Sequence, residues 1–230
     1  MHLVMFDVDG TLTRSCQYDQ ACYAATMKHI TGLDVDTDWQ NYTHVTDSAV
    51  TEEILSNNQL PLTLATEAEC HFAIRLRTMQ ANDPSLFAPL TGAPVMLQQL
   101  KQAGIALAIA TGCWRDSALI KLEHSGVVVD GIPMATASDA HSRQQIMQLA
   151  EKRAAQCYGI NRFDSVIYIG DGSWDVRCSR ELGYHFIGVG AETENLRSLG
   201  VCHTLEDYAD PESLWSLLAE FGVHRHSLLA

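Results

Sequence analysis

His2-Leu3-Val4-Met5-Phe6-Asp7-Val8-Asp9-Gly10-Thr11 is an apolar run that ends in two acidic residues and then a glycine. So short a run, closed by turn residues, reads as a buried strand, and the pattern predicts one over His2 to Val8. Three further runs share that form. Ile105 to Ala110 ends at Thr111-Gly112, Val166 to Ile169 at Gly170-Asp171, and His185 to Val189 at Gly190. Helical patterns lie between them, over Pro94 to Ala103, Asp116 to Ser125, Ser142 to Cys157, Trp174 to Leu182 and Pro211 to Phe221. Strands alternating with helices predict an α/β fold, a parallel sheet with helices on both faces. Such sheets bind ligands beyond the carboxyl ends of their strands. Asp7, Asp9, Thr111 and Asp171 all fall at that edge.

The stretch from Ser15 to Ala88 offers helical patterns (Asp19 to Ile30, Asp47 to Leu55, Leu64 to Met79) and no comparable strand run. It reads as an all-helical domain inserted after the first strand. The expected division is therefore an α/β core of residues 1–14 and 89–230 with a helical insert of residues 15–88.

The chain has 230 residues, 47% of them hydrophobic and 19% charged, which excludes a disordered or collagen-like chain. Its net charge of −13 disfavours nucleic acid as a partner. The longest apolar run, Ile105 to Ala110, is far short of the ~20 residues that span a bilayer, so no membrane partner is expected. The apolar opening Leu3 to Phe6 stops at Asp7, below the about 7–15 residues of a signal peptide, and the expected location is cytoplasmic. Seven cysteines, scattered and never spaced as C-x-x-C, read as free thiols. The close pair His224 and His226 sits in a polar tail and reads as solvated.

Asp7 and Asp9 stand two apart on an extended segment, so both side chains lean to one face. Two close carboxylates repel, and a divalent cation is the usual way to keep them ionised. The plainer reading of the pair is a polar strand-to-turn exit. Asp171 and Asp175 repeat the arrangement at a second strand end, where a helix begins. A donor set made of carboxylates alone suits Mg²⁺, although both residues also fit a helix cap and first turn. Thr111 and Gly112 put a hydroxyl and backbone N–H groups where an anion can rest on a helix N-terminus. Arg143, at the start of the helix before the third run, is the candidate cation for a phosphate group. Lys121 and Lys152 fall inside helices and read as solvated. Tyr42, His44, Thr46 and Asp47, with Trp114 and Arg115, are polar or aromatic positions that either meet a substrate or lie in loops.

Taken in chain order, Phe6-Asp7-Val8-Asp9-Gly10-Thr11-Leu12-Thr13, the run into Thr111-Gly112, Arg143, and Gly170-Asp171-Gly172-Ser173-Trp174-Asp175 resemble the four motifs of the haloacid dehalogenase superfamily. The third motif departs from the commonest pattern, with Arg where Lys is usual. The resemblance implies a Rossmann-like core with a C1-type helical cap, as in the phosphoglycolate phosphatase and β-phosphoglucomutase branches. It also implies a Mg²⁺-dependent phosphatase acting on a small phosphorylated metabolite. Asp7 would be the nucleophile and form an aspartyl phosphate, and Asp9 the general acid and base. Asp7, Asp9, Asp171 and Asp175 would surround the metal, while Thr111, Gly112 and Arg143 would hold the phosphoryl group.

Other chemistries of the superfamily weigh against these residues. Asp9 argues against dehalogenation, which needs no acid for a halide. Phosphonoacetaldehyde hydrolysis requires a lysine in the cap, where Lys28 is the only one. A phosphomutase shares every core motif and stands as the alternative. A silent binding module would not be expected to keep all four acidic positions.

Overall fold

In a computed structural model of the protein, residues 1–225 are described; His226 of the expected tail pair lies outside the described residues. Six parallel strands form one sheet: β1 (His2–Phe6), β2 (Ala106–Ala110), β3 (Met134–Ala135), β4 (Ser165–Gly170), β5 (His185–Val189) and β6 (Thr204–Leu205). Their order across the sheet is β3-β2-β1-β4-β5-β6. The first strand is thus central, and its register pairs Phe6 with Ile109 on one side and Ile169 on the other. β1 ends at Phe6, earlier than the expected Val8, because from Val8 the backbone turns: the N–H groups of Leu12 and Thr13 both donate to the Val8 carbonyl.

Alternate residues of β1 serve opposite faces of the sheet, as the two-residue period requires. Leu3 and Met5 pack with Ile146, Met147 and Ala150 of helix α6 (Arg143–Cys157). Val4 and Phe6 pack with Met96, Leu97 and Leu100 of α4 (Ala93–Gln102) and with Leu214, Trp215 and Leu218 of α9 (Pro211–Glu220). The sheet is covered on both faces. The short edge strands β3 and β6, and helix α8 (Thr193–Ser198), were not legible in the sequence: two-residue strands carry no periodicity, and a six-residue helix carries little. The remaining core helices are α5 (Arg115–Ser125) and α7 (Ser173–Leu182).

Between β1 and α4 come α1 (Cys16–Thr31), a 3₁₀ turn (Trp39–Asn41), α2 (Asp47–Asn57) and α3 (Leu64–Asn82), with no named strand among them. The chain leaves and re-enters the sheet side by side. Arg14 N–H donates to Ala88 carbonyl at 2.8 Å, and Leu90 N–H to Leu12 carbonyl at 3.0 Å. The helical segment packs against the core rather than standing clear of it: α3 lies along α5, and Tyr23 and Phe72 pack on Trp114 just before α5. All seven cysteines are free, and no helix among the described residues is long and apolar enough to cross a membrane.

Beyond β3, Asp139 ties three segments together. It accepts hydrogen bonds from Thr136 N–H (2.9 Å), Arg115 Nη2 (2.5 Å) and Arg153 Nη2 (2.9 Å). Burial works to raise its pKa, but the bonds from Arg153, Arg115 and Thr136 outweigh it and hold the carboxyl well below its ordinary value. A folded-state pKa below the unfolded one gives stability that is present above the unfolded value, about 3.9, and is lost as pH falls through the folded value. Asp139→Asn is therefore expected to lower Tm by a few degrees at pH 7. The gap to the parent should narrow as the pH falls below about 4, a trend that thermal melts across pH would show.

Candidate active site

Asp7 is the first residue after β1, and its N–H donates to Ile169 carbonyl at 3.0 Å, which fixes it between the ends of β1 and β4. It is 4% exposed. Its Oδ2 accepts from Arg143 Nη1 at 3.2 Å, whereas its Oδ1 is buried without a partner. Gly10, at φ 70°, turns the chain past Asp171: a Cβ there would lie 1.8 Å from Asp171 Oδ2. Asp7, Asp171 and Asp175 offer carboxylate oxygens that lie within 4.8 Å of one another.

Arg143 is the first residue of α6, a place where the helix dipole disfavours a cation. Two carboxylates reverse that preference. Its Nη1 lies 2.9 Å from Asp175 Oδ1 and 3.2 Å from Asp7 Oδ2, with Tyr168 hydroxyl at 3.3 Å, while Nη2 donates to Val45 carbonyl at 3.2 Å. Gly112 makes room for it, because a Cβ at 112 would stand 2.4 Å from Nη2. Burial opposes the charge on Arg143, but Asp175 and Asp7 outweigh it and raise its pKa further.

Asp9 faces away from that cluster. Its Oδ1 accepts from Ser15 hydroxyl, and its Oδ2 from Cys113 thiol at 2.6 Å and Lys121 Nζ at 2.5 Å. Lys121, expected to be solvated, is instead fully buried in α5, and it also reaches Asp19 at 2.7 Å. The physical reason is its place on the helix: Ser117, Ala118, Lys121, Leu122 and Ser125 form the buried stripe, so the ammonium can be satisfied only by carboxylates beneath it. Burial works against its charge, and Asp19 and Asp9 overcome this and hold its pKa well above the ordinary value. In return, burial works to raise the pKa of Asp9, but Lys121, with the hydrogen bonds from Cys113 and Ser15, outweighs it and lowers the value. Asp9, Asp19 and Cys113 also converge like metal ligands, but the ammonium already sits among them.

Thr111 follows β2 and is 1% exposed, its Oγ1 accepting from Cys113 N–H at 3.3 Å. Gly112 carbonyl accepts from Asp47 N–H at 2.7 Å, which brings the start of α2 onto this loop. Of the other polar positions, Thr46 and Asp47 line a cavity of about 1200 Å³ that also takes in Asp7, Thr111 and Gly112, whereas Arg115 is engaged by Asp139. Trp114 is 2% exposed and packs on Tyr23 and Phe72.

The site suits a hard divalent cation. Burial, and then the charges of Asp7, Asp175 and Asp9, push the Asp171 carboxyl well above its ordinary range. A cation there would relieve that repulsion. Every side-chain donor in the cluster is a carboxylate oxygen, and one oxygen of Asp7 has no other partner.

A sequence model of the family described as haloacid dehalogenase-like hydrolase matches residues 4–189. Among solved structures, a hydrolase from Pseudomonas syringae is 22% identical with a TM-score of 0.72, over 96% of this chain and 99% of that one. β-Phosphoglucomutase from Clostridium difficile is 19% identical with a TM-score of 0.70, over 96% and 99%. CbbY from Rhodobacter sphaeroides, solved in complex with phosphate, is 18% identical with a TM-score of 0.64, over 90% and 95%. A search of curated proteins finds no match.

Removing Lys121 leaves two buried carboxylates facing each other. Lys121→Met should cost about 3–5 kcal/mol in urea unfolding, and adding Asp19→Asn should return part of that loss. Purely additive losses in the double variant would show that the two do not interact.

Proposed function

The chain belongs to the haloacid dehalogenase-like hydrolases, and on that premise we propose that it is a Mg²⁺-dependent phosphatase that hydrolyses a small phosphorylated metabolite. The observation that carries this reading is the unpartnered Oδ1 of buried Asp7, set among carboxylates at the carboxyl edge of the sheet. In this reading residues 15–88 are a helical cap and residues 1–14 and 89–230 the core, with the hydrogen-bonded segments 12–14 and 88–90 as the pivot. Free thiols throughout fit a cytoplasmic setting.

Each residue then has a role. Asp7 attacks phosphorus, the ester P–O bond breaks, and the leaving oxygen takes a proton from Asp9. Asp9 next takes a proton from water as that water attacks the aspartyl phosphate, which releases inorganic phosphate and restores Asp7. Thr111 hydroxyl, Gly112 N–H and Arg143 bind and orient the phosphoryl oxygens. Asp7, Asp171 and the Asp9 carbonyl would hold Mg²⁺, with Asp175 close by and tied to Arg143. When bound, the metal supplies positive charge that lets an anionic ester approach a carboxylate. Before it can give a proton to the leaving group, Asp9, held ionised by Lys121, has to leave Lys121 and Ser15 and take up a proton, a change in side-chain direction that cap movement would accompany.

Phosphate release from a panel of phosphomonoesters, with Mg²⁺ and with chelator, tests the assignment. Asp7→Asn should reduce turnover by at least about 1000-fold and Asp9→Asn by roughly 100- to 10,000-fold, with circular dichroism unchanged in both. Metal-dependent turnover kept by Asp7→Asn would overturn the role of Asp7.

A further inference from the structure

A second cavity, about 490 Å³, adjoins the one over the sheet edge: Gln40, Val45, Ser173 and Trp174 line both. The two differ in charge. Ten carboxylates and two arginines line the larger one, whereas the smaller holds Arg177 and Arg180 with one acidic residue, Glu181. Trp174, Arg177 and Arg180 follow one another at three-residue spacing on α7, so they form one stripe that leads away from the sheet edge. At the rise of a helix, Arg177 stands ~4.5 Å and Arg180 ~9 Å beyond Trp174 along the axis. The helical insert contributes Gln40 and Tyr42 to the same cavity.

The two guanidiniums of the smaller cavity stand without carboxylates. Like charges one helical turn apart repel. Glu181 lies four residues after Arg177, where an ion pair along the helix would form, but its Oε2 accepts from Gln144 Nε2 instead. Among the described residues neither arginine forms an ion pair, and Arg180 Nη2 donates to Leu199 carbonyl at 2.7 Å. Trp174, the shared residue, is held by packing alone: its ring lies over Gly172, where a Cβ would stand 2.1 Å from Cε2, and its Nε1 has no hydrogen-bond partner. An anion between the arginines relieves their repulsion and takes charge-assisted hydrogen bonds from both. The same anion left in the larger cavity meets Arg14 alone, amid ten carboxylates.

We propose that the smaller cavity is a second lobe of the substrate site, in which Arg177 and Arg180 bind a distal anionic group, carboxylate or phosphate, at the far end of an elongated phosphate monoester. This rests on the phosphatase reading for the phosphoryl end at Asp7, and it goes further in naming the leaving group. That group is long enough to pass Ser173 and Trp174 and ends in negative charge. A short leaving group with the same charge stays among the carboxylates of the larger cavity and is disfavoured.

Three long esters test it: hexyl phosphate, 5-carboxypentyl phosphate and hexane-1,6-diyl bisphosphate, with propyl phosphate and 2-carboxyethyl phosphate as a short pair. With Mg²⁺, kcat/KM for at least one long ester with a charged end should exceed that of hexyl phosphate by about 10-fold, and which one does so tells carboxylate from phosphate. In the short pair the order should reverse. Arg177→Gln combined with Arg180→Gln should reduce the long preference to within about twofold, and added salt should shrink it, since both guanidiniums are exposed. Calorimetric Kd values for the long esters on Asp7→Asn, with and without the arginine changes, give a second reading that needs no turnover. Turnover with no preference for a charged end, a ratio unmoved by the two arginine changes, or one that falls with Arg14→Gln instead would overturn the proposal and leave the phosphatase reading standing. Hexanoate that alters hexyl phosphate turnover through these arginines without competing with the ester would mark a separate effector site and also overturn it. Arginine-dependent binding of a long charged ester without turnover of any ester would keep the anion site and overturn the phosphatase reading. Neither binding nor turnover would overturn both.

Discussion

Too many like charges meet at one edge of the sheet, and two buried cations make that edge stable. Asp7 and Asp171 directly follow β1 and β4, strands paired along their length, and cannot separate without unpairing the sheet, while Asp9 lies in the turn just beyond Asp7 and Asp175 in the first turn of α7. Arg143 neutralises the Asp7–Asp175 side from α6, and Lys121 the Asp9 side from α5. The two aspartates of the first motif are thereby divided. One turns towards the other carboxylates with a free oxygen, and the other is drawn down towards a helix. A pair that differs this much in surroundings is suited to two different tasks, attack by one member and proton transfer by the other.

The helical insert is held by the same groups. Arg143 donates to Val45 carbonyl, Gly112 accepts from Asp47, and Asp19 shares Lys121 with Asp9. Apolar contact reinforces this, because Tyr23 stacks on Trp114 and Trp114 Nε1 donates to Ser48 hydroxyl at 2.9 Å. Polar contacts close to the chemistry and apolar contacts farther out bring the start of α2 against the loop after β2. Gly112 and Asp47 are therefore neighbours, although they are far apart in sequence.

The strands that carry the site were legible because burial on both faces leaves an uninterrupted apolar run that stops abruptly at Asp or Gly. That rule located β1, β2, β4 and β5, and with them Asp7, Asp9, Thr111 and Asp171. It could not locate partners fixed by tertiary packing. Asp19 sits in the first turn of α1 and resembles any acidic residue favoured by a helix dipole. Lys121 left little trace, since the residues one turn away from it on α5, Ser117, Ala118, His124 and Ser125, are small or polar and suit a solvated face equally well. Cys113 and Ser15 left none, because a thiol or a hydroxyl is equally at home in a turn.

The arginine at position 143, where lysine is commoner in this motif, follows from what it has to reach. A lysine ammonium is a compact point charge and could sit between Asp7 and Asp175. It could not at the same time donate to a backbone carbonyl on the helical insert. The planar guanidinium does both: Nη1 serves the two carboxylates while Nη2 extends to Val45. The absence of a side chain at Gly112 is what admits this second arm. Position 112 and position 143 are thus one structural choice, and through it the charge balance of the core depends on where the insert lies. Displacement of the insert would free a donor on the group that steadies Asp7, so occupancy of the phosphoryl position and docking of the insert are coupled through a single side chain.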